Sequence, residues 1–183
     1  MATFTRLKYL YLAYFSKPAA ERTLYRLVRR IKPRKIVEIG IGSGLRAVRM
    51  IQLARGLRPG EQISYAGIDL FETRTGGGGL SIKQAYRLLK PTKARVQLVP
   101  GDPYIALTRA ANALRHTDLV IVSADQDKQA LAQAWFYFPR MLQRTSQVLI
   151  EIPGPTGEGF VLKPLERKEL DRRAAAPRRR RAA

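Results

Sequence analysis

The chain has 183 residues, 45% of them apolar, with 34 lysines and arginines against 14 aspartates and glutamates and a formal charge of +20, which suits one domain with a real core. It has no cysteine and a single histidine, His116, so disulfides, thiol catalysis, cysteine-ligated metal and a histidine cluster are excluded. The charge is concentrated at the ends: residues 1–35 hold ten basic side chains against Glu21 alone, and residues 164–183 hold eight against three acids. Such an excess suits RNA, DNA or anionic lipid, with RNA favoured; a solvated arginine-rich surface is the plainer reading. No apolar run approaches the roughly 20 residues of a membrane-spanning helix. The patch YLYLAYF (Tyr9 to Phe15) leads into a charged helix rather than a cleavage site, so a cytoplasmic protein is expected.

In chain order, Phe4, Leu7, Leu10, Tyr14 and Phe15 predict a short aromatic helix ended by Pro18, and Leu24, Leu27, Val28 and Ile31 predict a second from about Ala19 to Arg30. Arg22, Arg26, Arg29 and Arg30 share the opposite face of the second and are candidate polyanion contacts, with Arg178, Arg179, Arg180 and Arg181 of the tail. A strand at Ile36–Ile39 and a helix from about Ser43 to Arg55 follow. Next come strand ISYAGID, loop FETRTGGGG, a helix stopped by Pro91, strand ARVQLV and a helix from Pro103 to Arg115. Strand DLVIVSA, a helix from about Lys128 to Arg144 kinked at Pro139, and strand QVLIEI complete the alternation. GFVLK could add one antiparallel strand.

Strands alternating with helices predict an α/β, doubly wound and mainly parallel sheet of five to six strands with helices on both faces. The expected organisation is residues 1–34 as basic helices packing on the domain, 35–163 as a Rossmann-like domain, and 164–183 as a basic, disordered tail. Ligands of such sheets bind at the carboxyl ends of the strands, where strand order reverses. There the sequence places Gly40, Gly42 and Gly44 in VEIGIGSG.

A dinucleotide fingerprint needs G-x-G-x-x-G, and here the third glycine falls one place early; a phosphate-cradling G-x-x-x-x-G-K-[ST] is absent. VEIGIGSG instead resembles the first motif of the class I S-adenosylmethionine-dependent methyltransferases, an acidic residue followed by G-x-G-x-G, carried here by Glu38, Gly40, Gly42 and Gly44. GIDLFE resembles the second motif, with Asp69 ending the second strand; VPGDP resembles the third, with Asp102; DLVIVSAD resembles the fourth-strand segment. The resemblance covers about residues 35–152 and implies S-adenosylmethionine as cofactor.

It implies, residue by residue, that the glycines let the backbone approach the methionine part and that Asp69 accepts the ribose hydroxyls. Leu70 and Phe71 would offer surface to the adenine ring, Asp102 would meet its exocyclic amine, and Glu38 would orient the loop and the methionyl amine. A second reading stands for Asp102, which precedes Pro103 as a helix N-cap would. DLVIVSADQDK also resembles the fourth-strand region of small-molecule O-methyltransferases, where a D-A-D-K sequence carries a metal ligand; here Ser123 takes its first position if Asp125 takes the second, or else a displaced pattern is supplied by Asp125, Asp127 and Lys128, and Ser123 and Asp125 are candidate substrate-side residues. The fifth strand ends in EIPGP without the Asp-Asn pair of the metal-dependent enzymes, so no metal is expected. Gly76–Gly79 is read as a lid or a plain linker loop.

Three functions remain open: a methyltransferase, on RNA or another acidic substrate; a non-catalytic nucleic-acid-binding module on the same fold; and a nicotinamide-dependent reductase, disfavoured by the glycine spacing. The aromatic, basic first helix could also lie on an anionic membrane, the simpler expectation being that its aromatics pack on the domain.

Overall fold

The structure, a computed structural model, describes residues 2–74, 79–154 and 159–176. Helix α1 (Ala2–Leu10) runs into a wider π-type turn at Tyr11–Phe15, and α2 (Glu21–Ile31) follows. Then β1 (Lys35–Ile39), α3 (Leu45–Leu57), β2 (Ser64–Asp69), α4 (Ile82–Leu89), β3 (Arg95–Pro100), α5 (Pro103–Ala110) and β4 (Thr117–Val122) alternate. Helices α6 (Lys128–Ala134) and α7 (Phe138–Met141), strands β5 (Leu142–Pro153) and β6 (Phe160–Pro164), and α8 (Arg167–Ala175) complete the chain.

The strands form one sheet in the order β3-β2-β1-β4-β5-β6. β1 to β5 are mutually parallel, and β6 returns antiparallel to β5, with Leu149 opposite Pro164 and Pro153 opposite Phe160. The expected doubly wound sheet is therefore present. Side chains alternate across it with the strand period. Val37, Ile39, Ile68, Val120 and Val122 face α5, α6 and α7 through Leu107, Ala134 and Phe138. Ile36, Tyr65, Leu119, Ile121 and Leu149 face α2 and α3 through Leu24, Val28, Met50 and Ile51. Burial on both faces explains why the strands read as apolar runs.

Local chemistry sets the helix ends. Ser81 and Gln84 make a reciprocal capping box on α4. Asp102 caps α5 by accepting from the Ile105 N–H at 2.9 Å, with Pro103 next to it. Asp127 caps α6 by accepting from the Ala130 N–H.

Two expectations are corrected. The single helix over 128–144 is α6, a tight turn at Trp135–Tyr137 and the short α7; Pro139 has no N–H for a continuous helix and sits instead in the first turn of α7. The stretch 164–183, expected to be disordered, contains helix α8. It is anchored by Leu170, 2% exposed in the core, and by Arg173 stacked 5.2 Å over Trp135. Arg178 to Arg181 lie outside the described residues, as does most of the Gly76–Gly79 run. Among the described residues no helix is long and apolar enough to cross a membrane.

Candidate functional site

The chain leaves β1 through Gly40–Gly44, beside β4, where the strand order changes direction. A cleft of about 270 Å³ opens there, lined by Gly40, Gly42, Ser43, Arg46, Ser123, Asp125 and Glu151, with Glu21 and Phe160 at its sides. This is just under the roughly 300–1,000 Å³ of small-molecule sites.

The floor is a buried polar network around Arg46, in the first turn of α3. Its Nε donates to Glu38 Oε1 at 2.6 Å, Nη1 to Glu151 Oε1 at 3.3 Å, and Nη2 to Ser123 Oγ at 2.6 Å and the Gly40 carbonyl at 3.2 Å. Glu38 is fully buried, and its second oxygen accepts from the Tyr65 hydroxyl at 2.6 Å. Burial pushes the Glu38 carboxyl above its ordinary pKa, against the pull of the Arg46 guanidinium and the Tyr65 hydroxyl. Burial likewise opposes the charge on Arg46, but the Glu38 carboxylate outweighs it and the guanidinium titrates higher than usual. Ser123 Oγ donates to the Gly40 carbonyl at 2.8 Å, tying the end of β4 to the glycine loop.

The rim is organised by Asp69 at the end of β2. One carboxylate oxygen accepts from the Ile41 N–H at 2.7 Å and the Gly42 N–H at 3.3 Å; the other accepts from the Leu70 N–H and from Arg74 Nη2, each at 2.7 Å. Arg74 Nη1 reaches across to Asp125 at 2.7 Å, beyond β4. Burial works against the Asp69 carboxylate, yet the Arg74 contact and the loop amides prevail and hold its pKa below the ordinary value. Arg74 Nε is buried without a partner among the described residues.

The predicted residues thus take different roles. Gly42 lies open: a Cβ there would meet nothing within 4 Å. At Gly40 a Cβ would stand 2.5 Å from Gln126 Nε2 and 2.7 Å from Ser123 Cβ, and at Gly44 2.6 Å from Leu88 Cδ2, so these two glycines serve packing. Glu38 has both oxygens engaged inside the protein and does not reach the cleft. Phe71 is 3% exposed and packs on Ile41 and Ala85 rather than presenting a ring surface, while Leu70 is half-buried. Asp102 caps α5. Ser123 and Asp125 both line the cleft.

Of the basic face of α2, Arg22 Nε donates to the Ser16 carbonyl, Arg29 lies 4.3 Å over the Tyr9 ring, and Arg26 and Arg30 are exposed. Sequence reasoning missed Arg46, Arg74, Tyr65 and Glu151. For Arg46 a signal existed: a cation in the first turn of a helix opposes the dipole and calls for nearby acids. Among the described residues no group of three or more His, Asp or Glu side chains is gathered as metal ligands would be.

No protein-family model matches the sequence, and a search of curated proteins finds no match. Solved structures do match. An O-methyltransferase from Bacillus cereus in complex with S-adenosylhomocysteine aligns with a TM-score of 0.56 at 18% identity, over 85% of this chain and 69% of that one. The O-methyltransferase TomG of Streptomyces achromogenes, involved in tomaymycin synthesis and solved with S-adenosylmethionine, aligns at 0.53 and 16%, over 82% and 64%. The S-adenosylhomocysteine-bound methyltransferase PaMTH1 of Podospora anserina aligns at 0.52 and 20%, over 81% and 58%. The chain therefore spans between 58% and 69% of the length of these neighbours. At these identities the likeness is one of fold: the chain has the class I S-adenosylmethionine-dependent methyltransferase fold.

Proposed function

We propose that this protein is an S-adenosylmethionine-dependent methyltransferase with its cofactor in the cleft at the ends of β1, β2 and β4. The observation that carries the reading is the Gly40–Gly44 turn at the strand switch point. Its Ile41 and Gly42 amides are fixed on Asp69, and the space over Gly42 is open to the cleft.

The residues present fit the cofactor. Gly42 permits close backbone approach, and Asp69 is a carboxylate beside the loop, as a ribose diol requires. One adjustment is needed: Arg74 holds the Asp69 oxygen that does not bind the loop amides, so Arg74 must give way. When bound, S-adenosylmethionine supplies an electrophilic methyl group on a sulfonium, and its transfer depends chiefly on alignment with the acceptor.

The chain's own part is positioning and charge. Arg46 keeps the floor rigid by joining β1, β4 and β5. Asp125, whose side chain is 46% exposed against 18% for Glu151 and 11% for Glu21, is the most open carboxylate lining the cleft; its exposure supports it as the group that faces an acceptor and takes its proton. The acceptor class follows from neither fold nor cleft, and the basic ends support an acidic one such as RNA.

Calorimetric titration tests the reading, with S-adenosylmethionine and S-adenosylhomocysteine as ligands and NADH and NADPH as controls. Micromolar binding of the sulfur compounds alone, lost in Asp69→Ala, is expected. A folded protein that binds neither sulfur compound overturns it.

A further inference from the structure

The first fifteen residues carry a feature that the cleft does not use. Leu7, Leu10, Tyr11, Tyr14 and Phe15 recur at the spacing of one helical face, and all point outward, exposed by 63%, 42%, 55%, 51% and 70%. The same segment already secures itself to the core through Leu12 and Ala13, 2% and 1% exposed. The outward stripe is therefore surplus to folding, a contiguous apolar face of the kind that marks an interaction surface. Of the aromatics expected to pack on the domain, Tyr9 does so, whereas Tyr11, Tyr14 and Phe15 do not.

Its surroundings are cationic. Arg6 and Lys17 are exposed just before and just after the stripe, and Arg26, Arg29 and Arg30 are exposed on α2. Arg29 is held beside α1 by stacking on Tyr9. The one acid of residues 1–35, Glu21, is buried, accepts from the Tyr25 hydroxyl and pairs with Arg49 at 3.5 Å. Helix α3, which packs below through the contact of Lys8 with Gln52, contributes no acid either.

We propose that this face docks on an anionic membrane surface. A helix with leucines and aromatics on one side and arginines and lysines around it matches the physics of interfacial binding: apolar side chains enter the acyl boundary, and the cations meet lipid phosphates. Tyrosine suits the headgroup level, and phenylalanine the acyl boundary. A second copy of this chain suits the face less well, because a two-fold contact would set the same cations against each other. Single-stranded nucleic acid would use the cations and could stack on the aromatics, but a convex stripe headed by Leu7 and Leu10 offers aliphatic surface where bases need flat faces. The stripe ends six residues before Glu21, a wall of the cleft, so docking leaves the cleft beside the interface. The inference stands independently of whether the cleft binds a cofactor.

The test is co-sedimentation of the full chain with vesicles of phosphatidylcholine containing phosphatidylglycerol, against pure phosphatidylcholine and a single-stranded RNA oligonucleotide. Binding to the anionic vesicles is expected, weaker in higher salt. The variant Tyr11→Ser/Tyr14→Ser/Phe15→Ser should lose at least tenfold, roughly the worth of one fully buried apolar side chain, with an unchanged circular dichroism spectrum because these side chains are exposed. Arg26→Gln/Arg29→Gln/Arg30→Gln should lose about fivefold per arginine near the surface. Single Phe15→Ser provides a milder check should the triple variant misfold. Three results overturn the proposal: no binding to anionic vesicles, vesicle binding indifferent to the aromatic substitutions, or RNA binding that displaces the vesicles and depends on the arginines alone.

Discussion

Two arginines bridge two pairs of carboxylates at the strand ends, and they do so in different settings. Arg46 joins Glu38 of β1 to Glu151 of β5 from inside a helix, 10% exposed, with Glu38 wholly buried. Arg74 joins Asp69 of β2 to Asp125 from a loop, 23% exposed, with Asp125 half open to solvent. The first bridge cannot open without stranding a buried charge. The second can, because both its acids have other partners: Asp69 keeps four backbone N–H donors, and Asp125 keeps Gln126. The comparison separates a framework from a displaceable contact although the chemistry of the two ion pairs is the same.

The largest effect should follow from breaking the floor. Arg46→Met leaves Glu38 buried and uncompensated, and a loss of about 3–5 kcal/mol in urea unfolding is expected. Combining it with Glu38→Gln should restore a large part of that loss, since the stranded charge is removed. The deficit also has a pH signature. Burial already raises the Glu38 pKa, and removing Arg46 raises it further. A carboxyl raised in the folded state costs stability as pH climbs from its ordinary value through the folded one. The variant's deficit should therefore be small near pH 4 and grow towards neutrality. A deficit below about 1 kcal/mol at neutral pH, the level of an exposed pair, would erase the distinction between floor and rim.

How much of this could be read beforehand depends on the range of the interaction. The strands, their order of appearance and the glycine turn were legible because short apolar runs and glycine spacing are local signals. Asp69 was legible as the acid of the rim, since it ends a strand beside the turn. The bridge from Arg46 to Glu151 spans 105 residues of sequence, and only the parallel pairing of β1, β4 and β5 brings its ends together. Gly67 carried an unread hint: a Cβ there would lie 2.4 Å from Ile41 Cδ1, so this strand glycine exists to let the loop cross over it. In α1 and the π-type turn after it the period was readable but not which face would be covered, because Leu12 and Ala13 compete for burial with larger neighbours. Helix α8 was hidden by its charge, having Leu170 as its one buried residue.

A second way to sharpen the comparison lies within the glycine turn, whose two halves belong to different bridges. The Gly40 carbonyl accepts from Arg46 and Ser123 on the floor, whereas the Gly42 N–H donates to Asp69 on the rim. Both have positive φ, +87° and +57°, so alanine strains either by about 1–2 kcal/mol. Gly40→Ala adds overpacking against Gln126 and Ser123, a further 1–3 kcal/mol or so. Gly42→Ala adds none, but sets a methyl group into the cleft. Thermal unfolding should rank Gly40→Ala as the less stable variant, and titration should find weaker S-adenosylmethionine binding in Gly42→Ala. The reverse ranking in stability would mean that the floor yields where the rim does not.

The smallest change in stability, and the most informative in function, is expected from Arg74→Ala. Its ion pairs are partly solvated, so the folding cost should stay within about 1 kcal/mol. Arg74 contributes to the lowered Asp69 pKa, and a carboxyl lowered in the folded state gives stability that is lost as pH falls through the folded value. Removing Arg74 should therefore make the acid-side loss below about pH 4 shallower. In the cleft the sign is opposite: the variant removes the side-chain donor on the Asp69 oxygen and leaves only the Leu70 and Phe71 N–H groups there, so S-adenosylmethionine should bind a few-fold more tightly than to the unaltered protein. If neither protein binds, the cofactor reading fails. If both bind equally, the cleft holds its ligand without Asp69, and the rim is as much a part of the framework as the floor.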